Sequence, residues 1–267
     1  MVRAVATSSK RRSLRWAGGM VALAAVLVWA VPAGATTTTP ISNPYPSTST
    51  GYDVGYPNCS EKPPGGFAIV GLGGGRPFTT STCLASEWKT ANGFGGTPAP
   101  ALYFNTGYAG AYARDIITPV CGSYVGPPLS SKLPQHDQRT YKQAWEIGCS
   151  EAAYAAGVAS TAVGSPSMWW ADIETGNSWS TDKTVNQYTV DGLSYEMQQP
   201  ASGVAGVYSS PSSWDKIVGS GFAAYPPFAG DWGPTLSCAS PSGFDRSPVW
   251  IVQSGTSSGV DLDTGCG

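Results

Sequence analysis

Asp172 and Glu174 stand two residues apart in the run Met168-Trp169-Trp170-Ala171-Asp172-Ile173-Glu174, a short apolar stretch that reads as a β-strand. Side chains two apart on a strand point to the same face, so the two carboxyls project together with Trp170 beneath them. Paired carboxyls beside aromatic surface suit the cleavage of a glycosidic bond. One gives a proton to the leaving oxygen, and the other supports the positive charge that develops on the sugar. Only 12% of the chain is charged, so two acids on an otherwise apolar strand call for a reason.

Other chemistries fit the residues less well. The only histidine, His136, lies in the polar stretch Pro134-Gln135-His136-Asp137-Gln138 and reads as a solvated loop residue. A Ser-His or Cys-His nucleophile would have to use that one side chain. No Cys-x-x-Cys is present, so no metal site is expected. Gly71-Leu72-Gly73-Gly74-Gly75 lacks the glycine spacing and helix start of a dinucleotide loop, and reads instead as a flexible loop at a cleft edge. No cofactor is expected.

The elements that must position the acid pair alternate in type. Apolar runs at 51–54, 67–71, 101–105, 168–174, 203–208, 228–232, 248–253 and 259–262 read as strands. Helical stretches are expected at 82–92, 141–159, 186–199 and 211–218. Strands separated by helices indicate an α/β chain folded as a parallel, TIM-like (β/α)8 barrel in a single domain. The last connections are too short for full helices, so the barrel is expected to be irregular at its C-terminal end. A doubly wound open sheet is the competing architecture.

Polar residues recur where these strands end: Asp53, Asn105, Asp172 and Glu174, Tyr208, Asp231, Gln253 and Asp261. In a barrel that end forms the active-site face. Trp170, Trp232 and Tyr208 are candidate platforms for stacking a sugar ring, whereas Trp250 reads as core.

The first 35 residues read as an export signal. Lys10, Arg11, Arg12 and Arg15 precede an uncharged apolar run, and Ala33-Gly34-Ala35 is a small-x-small cleavage site. Arg11-Arg12 also fits a twin-arginine route. The alternative, an uncleaved anchor, would need about 18 apolar residues. Residues 36–50, rich in Thr, Ser and Pro, read as a disordered tether, and 51–267 as the barrel domain. Loss of the signal removes five basic residues and leaves 10 basic against 17 acidic, a net charge of −7. A nucleic-acid partner, which wants a basic stripe, is therefore not expected. No later segment is apolar enough to span a membrane, and a secreted monomer is expected. Six cysteines remain: Cys59, Cys83, Cys121, Cys149, Cys238 and Cys266. An even count in an exported chain favours three disulfides. Several connectivities are open, of which the sequence-local set 59–83, 121–149 and 238–266 is preferred.

With these residues in place the chain resembles glycoside hydrolase family 25, the lysozyme-like muramidases. The resemblance runs from about Tyr52 to Asp263 and rests on four stretches. They are the Asp-x-Glu strand, Gly206-Val207-Tyr208 with the following Ser209 to Trp214, Val249-Trp250-Ile251-Val252-Gln253, and Val260-Asp261-Leu262-Asp263. Tyr52-Asp53-Val54 is similar to the family's opening strand. The chain departs from the pattern at Gly55-Tyr56-Pro57-Asn58-Cys59 and at Gly71 to Arg76, both at the cleft's edge, so it reads as a divergent branch.

The resemblance implies that Glu174 is the proton donor and Asp172 the carboxylate beside it. Asp53 and Asp261 would be further acids of the same cleft. It also implies that the substrate's own N-acetyl group supplies the nucleophile while an ionised Asp172 stabilises the charged intermediate. The implied partner is a cell-wall glycan or other polysaccharide. Two other classes remain open: a non-catalytic polysaccharide-binding module on a hydrolase fold, and an adhesive surface domain.

Overall fold

The eight strands close into a barrel in sequence order. The computed structural model describes residues 41–267 apart from 57, 62, 165, 167, 200–202 and 258. The expected export signal lies outside the described residues. The strands are β1 (Thr50–Val54), β2 (Phe67–Gly71), β3 (Ala101–Asn105), β4 (Met168–Asp172), β5 (Val204–Tyr208), β6 (Asp231–Pro234), β7 (Val249–Ser257) and β8 (Val260–Gly265). The helices are α1 (Leu84–Gly93), α2 (Thr118–Cys121), α3 (Gln135–Ala162), α4 (Lys183–Met197) and α5 (Pro211–Ile217), with a 3₁₀ turn at Gly110–Asp115. Closure excludes the open doubly wound sheet.

Neighbouring strands from β1 to β7 pair in parallel. β8 differs from the parallel barrel expected, because it runs antiparallel to both β7 and β1. The cause is the short connection after Ser257: a parallel return needs a crossover of a dozen or more residues, whereas two residues close a hairpin. The irregularity therefore falls at the C-terminal end, as the short connections imply. It also sets the start of β8, not its end, on the face where the other strands finish.

Alternation divides the strand side chains between two apolar layers. Phe67, Ile69, Ala101, Met168, Trp170 and Trp232 pack together inside the barrel. Trp169, Ala171, Leu102, Val70 and Val207 face outward and meet Ala152, Ala155 and Leu193 of the helices. Trp250 lies in the inner core, in edge contact with Trp170.

The helix ends follow local chemistry. Asp182 caps α4 by accepting from the Thr184 amide, and Ser210 caps α5 by accepting from the Ser213 amide with Pro211 in the first turn. α3 begins at Gln135, six residues before the expected 141, so His136 sits in its exposed first turn rather than in a loop. It ends at Ala162, and Gly164 just beyond it has a φ of +95° that suits a helix stop. α3 and α4 meet at reciprocal glycines. A Cβ on Gly148 would lie 1.8 Å from the Thr189 carbonyl oxygen, and one on Gly192 would lie 2.0 Å from that of Trp145.

Residues 41–50 differ from the tether expected. Tyr45 is completely buried. Its amide donates to Asn43 Oδ1, and its carbonyl accepts from the Gly267 amide. The Thr48 amide donates to the Gly265 carbonyl, and the Gly265 amide donates to Ser49. The segment thus closes the barrel's lower end with the C-terminus, and Ile41–Gly267 forms one compact unit. Three disulfides join Cys59 to Cys83, Cys121 to Cys149 and Cys238 to Cys266, the sequence-local set. No helix among the described residues is long and apolar enough to cross a membrane.

Candidate active site

A cleft of about 120 Å³ opens where β1 to β7 end and β8 begins, lined by Asp53, Tyr103, Asp172, Glu174, Tyr208, Trp232, Gln253 and Asp261. Strand register explains how distant residues converge. Asn105, Asp172 and Tyr208 pair side by side across β3, β4 and β5, and Tyr208 pairs with Trp232 on β6. Asp53 pairs with Asp261 across the antiparallel β1–β8 ladder.

Asp172 closes β4 and is 4% exposed. Asn105 Nδ2 donates to its Oδ2, while its Oδ1 is buried without a hydrogen-bond partner. Its backbone is held as well. The Asp172 carbonyl accepts from the Thr106 amide at 3.1 Å, from Thr106 Oγ1 at 2.9 Å and from Asn177 Nδ2 at 3.1 Å. Glu174 stands two residues past the end of the strand and is half-buried. Trp179 Nε1 donates to its carbonyl at 2.8 Å, and the Asn177 amide donates to the same oxygen at 3.1 Å. The turn therefore fixes the Glu174 backbone while its carboxyl stays at the cleft.

A relay crosses the opposite wall. Tyr208 Oη donates to Gln253 Oε1 at 3.0 Å, and Gln253 Nε2 donates to Asp53 Oδ2 at 3.2 Å. Trp232 Nε1 donates at 2.8 Å to Oδ1 of Asp263, an almost fully buried acid beneath the cleft. The Tyr208 and Trp232 rings pack with centroids 4.4 Å apart.

Among the described residues no basic side chain lines the cleft, and its acids hold their protons above the ordinary carboxyl range. Burial is the first cause at each of Asp53, Asp172, Glu174, Asp261 and Asp263. Asp53 is pushed up to about 7, with Asp261 adding repulsion and Gln253 opposing it. Asp172 is raised well above its ordinary value by burial and then by the charge of Glu174, against the Asn105 hydrogen bond. Glu174 is raised by burial and by Asp261. The upward shift of Glu174 suits the proton donor that the resemblance implies. Asp172 differs, since it was expected to remain ionised beside Glu174. It lies deeper, and burial acts on it more strongly than hydrogen bonding restores its charge.

The cleft gathers Asp53, Asp172, Glu174, Tyr208, Trp232, Gln253 and Asp261. Asn105 holds Asp172 from the side. Two expected site residues lie elsewhere. Trp170 is fully buried inside the barrel, donating to Tyr45 Oη at 3.2 Å, and cannot stack on a sugar. Asp231, one residue before the inward Trp232, faces out of the barrel. There it is buried against the 243–247 loop and accepts from the Asp245 amide at 3.3 Å. Tyr103 and Asp263 are the additions. Each stands two residues from an expected site residue on its strand, Asn105 and Asp261, so strand periodicity was the available signal.

No family model matches the sequence, and no curated protein matches it. Solved structures do. A muramidase from Trichobolus zukalii is similar with a TM-score of 0.51 and 14% identity, over 82% of this chain and 93% of that one. A bacterial lysozyme from Streptomyces coelicolor gives a TM-score of 0.47 and 15% identity, over 83% and 93%. The chain thus has an irregular, TIM-like eight-stranded barrel similar in fold to that of the Trichobolus zukalii muramidase.

Proposed function

We propose that the protein is an exported glycoside hydrolase that cuts a polysaccharide of N-acetylated sugars, peptidoglycan being the first substrate to test. The observation that carries this reading is the convergence of Asp53, Asp172, Glu174 and Asp261 in one cleft walled by Tyr208 and Trp232. Three disulfides support an oxidising, extracellular setting.

Glu174 is the general acid. Burial and the charge of Asp261 raise its pKa and so favour the protonated form that a general acid needs, and its half-buried position lets it reach a glycosidic oxygen. Asp172 orients the substrate's N-acetyl group. Its partnerless Oδ1 is placed to accept the acetamido N–H, while Asn105 occupies Oδ2. Two donors favour the ionised form, so binding draws Asp172 toward the charge that stabilises a cyclic intermediate formed by the acetyl oxygen. The proton lost from Asp172 passes to solvent or to a neighbouring carboxyl. Water then opens the intermediate, and Glu174 takes that water's proton. Asp53 and Asp261 add negative potential around the developing cation, and Trp232 and Tyr208 offer aromatic surface to a sugar ring.

The test is release of reducing ends from purified peptidoglycan, compared between wild type and Glu174→Gln. Loss of release in a folded variant supports the hydrolase. Binding of peptidoglycan without release by the wild type assigns the chain to the binding modules instead, and failure to bind or cut any glycan removes both readings.

A further inference from the structure

Tyr52 and Glu87 meet outside the barrel, away from the cleft. The alternation that turns Asp53 inward turns Tyr52 outward toward α1, which carries Glu87. Tyr52 is fully buried and Glu87 is 8% exposed. The Tyr52 hydroxyl and both Glu87 carboxylate oxygens are buried without a hydrogen-bond partner. They open on a cavity of about 70 Å³ that Glu61, Ser86 and Thr90 also line. No basic side chain lines it among the described residues.

We propose that this cavity binds a hard cation of the calcium class, held by the Glu87 carboxylate and the Tyr52 hydroxyl. Glu61 and the Ser86 and Thr90 hydroxyls complete the set at the mouth. A buried carboxylate with neither oxygen satisfied is among the least favourable arrangements in a protein interior. A cation is a single partner that satisfies both Glu87 oxygens and the phenol oxygen together. The space holds an ion with accompanying water.

The donor set selects the class of ion. Every available donor is oxygen, which suits hard cations. Calcium accepts six to eight oxygens in irregular geometry, whereas magnesium demands a near-ideal octahedron. Cys59 Sγ and Cys83 Sγ lie within 4.8 Å of a Glu87 carboxylate oxygen, but they are joined in a disulfide and offer no thiolate to a softer metal. The ion would clamp the β1–β2 connection onto α1. That connection also reaches the β7–β8 turn, where Asn58 Nδ2 donates to the Gly259 carbonyl at 2.7 Å. The site is separate from the acid cleft, and the proposal stands whether or not the protein cuts glycans.

Calorimetric titration of the chelator-treated full chain with calcium chloride tests it, alongside thermal unfolding in millimolar calcium or EDTA. The expected result is saturable binding and a raised unfolding temperature, with a weaker response to magnesium. Glu87→Gln should weaken calcium binding by at least about tenfold and remove the thermal response. In EDTA this variant should unfold no earlier than wild type, because glutamine leaves no charge to bury. Tyr52→Phe and Glu61→Gln should each weaken binding to a lesser degree, and they carry the test if Glu87→Gln does not fold. Absence of calcium binding by the wild type overturns the proposal. Binding that is undiminished in Glu87→Gln overturns it too, because the ion then sits on other surface acids.

Discussion

Asn105 stands directly beside Asp172 across the β3–β4 ladder, and its amide donates to Asp172 Oδ2 while Oδ1 is left without a partner. The side chain therefore does two things at once: it fixes the carboxyl's rotation and favours its ionised form against burial. Hydrogen bonds to charged groups contribute about 1.5–3 kcal/mol. Asn105→Ala should raise the Asp172 pKa further. In the hydrolase reading, the acidic limb of the pH–rate profile then moves to higher pH, and the rate below neutrality falls by about tenfold or more. A profile of reducing-end release that keeps its shape and height would separate Asn105 from the chemistry.

The buried acids also set how stability varies with pH. Asp231 is pushed up to about 10 by burial and by the neighbouring Asp245. Asp53 and Asp191 are pushed up to about 7, first by burial. The ion pairs among the described residues are Arg114–Asp115, His136–Asp137 and Lys183–Asp215, none of which reaches these acids. A carboxyl whose folded pKa exceeds its unfolded value of about 4 binds its proton more tightly when folded. Its stabilisation is fully present below that value and is lost as pH rises through the folded pKa. The unfolding temperature should be highest in mild acid and decline from about pH 4 through 7, with a further decline toward 10. Asp231→Asn, which mimics the protonated acid, should flatten the alkaline part of that decline. An unfolding temperature that rises from pH 4 to 8 would contradict this account.

How much of this was legible in the sequence depends on the range of the forces involved. β2 and β3 coincide with their apolar runs, since β-branched and aromatic residues bounded by turn formers define such strands locally. Asp172 and Glu174 share a face because period two is a property of the strand alone. Asp261 reaches the cleft for another reason than the one expected: it begins an antiparallel strand instead of ending a parallel one. Asp231 was misplaced by a single position of register, since the chain face is set by Trp232, which turns inward beside it. The packing of 41–50 was illegible because its partners, Trp170 and Gly265 to Gly267, lie more than 100 residues away. A window of Thr, Ser and Pro carries no sign of them.

That misread segment yields a stability prediction. Tyr45 is fully buried, its ring meets Phe67 and Trp170 with centroids 4.9 and 6.1 Å away, and its hydroxyl accepts from Trp170 Nε1. Removing a buried aromatic ring costs about 3–5 kcal/mol, so Tyr45→Ala should unfold at a much lower temperature than wild type. Tyr45→Phe keeps the ring and loses one hydrogen bond, which costs about 1 kcal/mol. Denaturant unfolding of the two variants checks the order. Equal, small losses would mean that 41–50 is a tether after all.

The α3–α4 contact supplies the sharpest steric test. A Cβ on Gly148 would lie 1.8 Å from the Thr189 carbonyl oxygen and 2.7 Å from its carbon, both backbone atoms that cannot rotate away. The helices would have to separate. α3 is tied to α2 by Cys121–Cys149, the bond next to Gly148 in sequence, and α4 leads into β5, the strand that carries Tyr208. Alanine is the better helix former by about 1 kcal/mol, so propensity alone predicts that Gly148→Ala stabilises the chain. Overpacking costs about 1–3 kcal/mol or more and opposes it. A backbone clash this close exceeds what propensity returns, and Gly148→Ala should lower the unfolding temperature. Gly157→Ala on the same helix is the matched control, because nothing lies within 4 Å of a Cβ built there. That substitution should be neutral or stabilising. If both variants unfold at the wild-type temperature or above, α3 and α4 do not pack as closely as their glycines require.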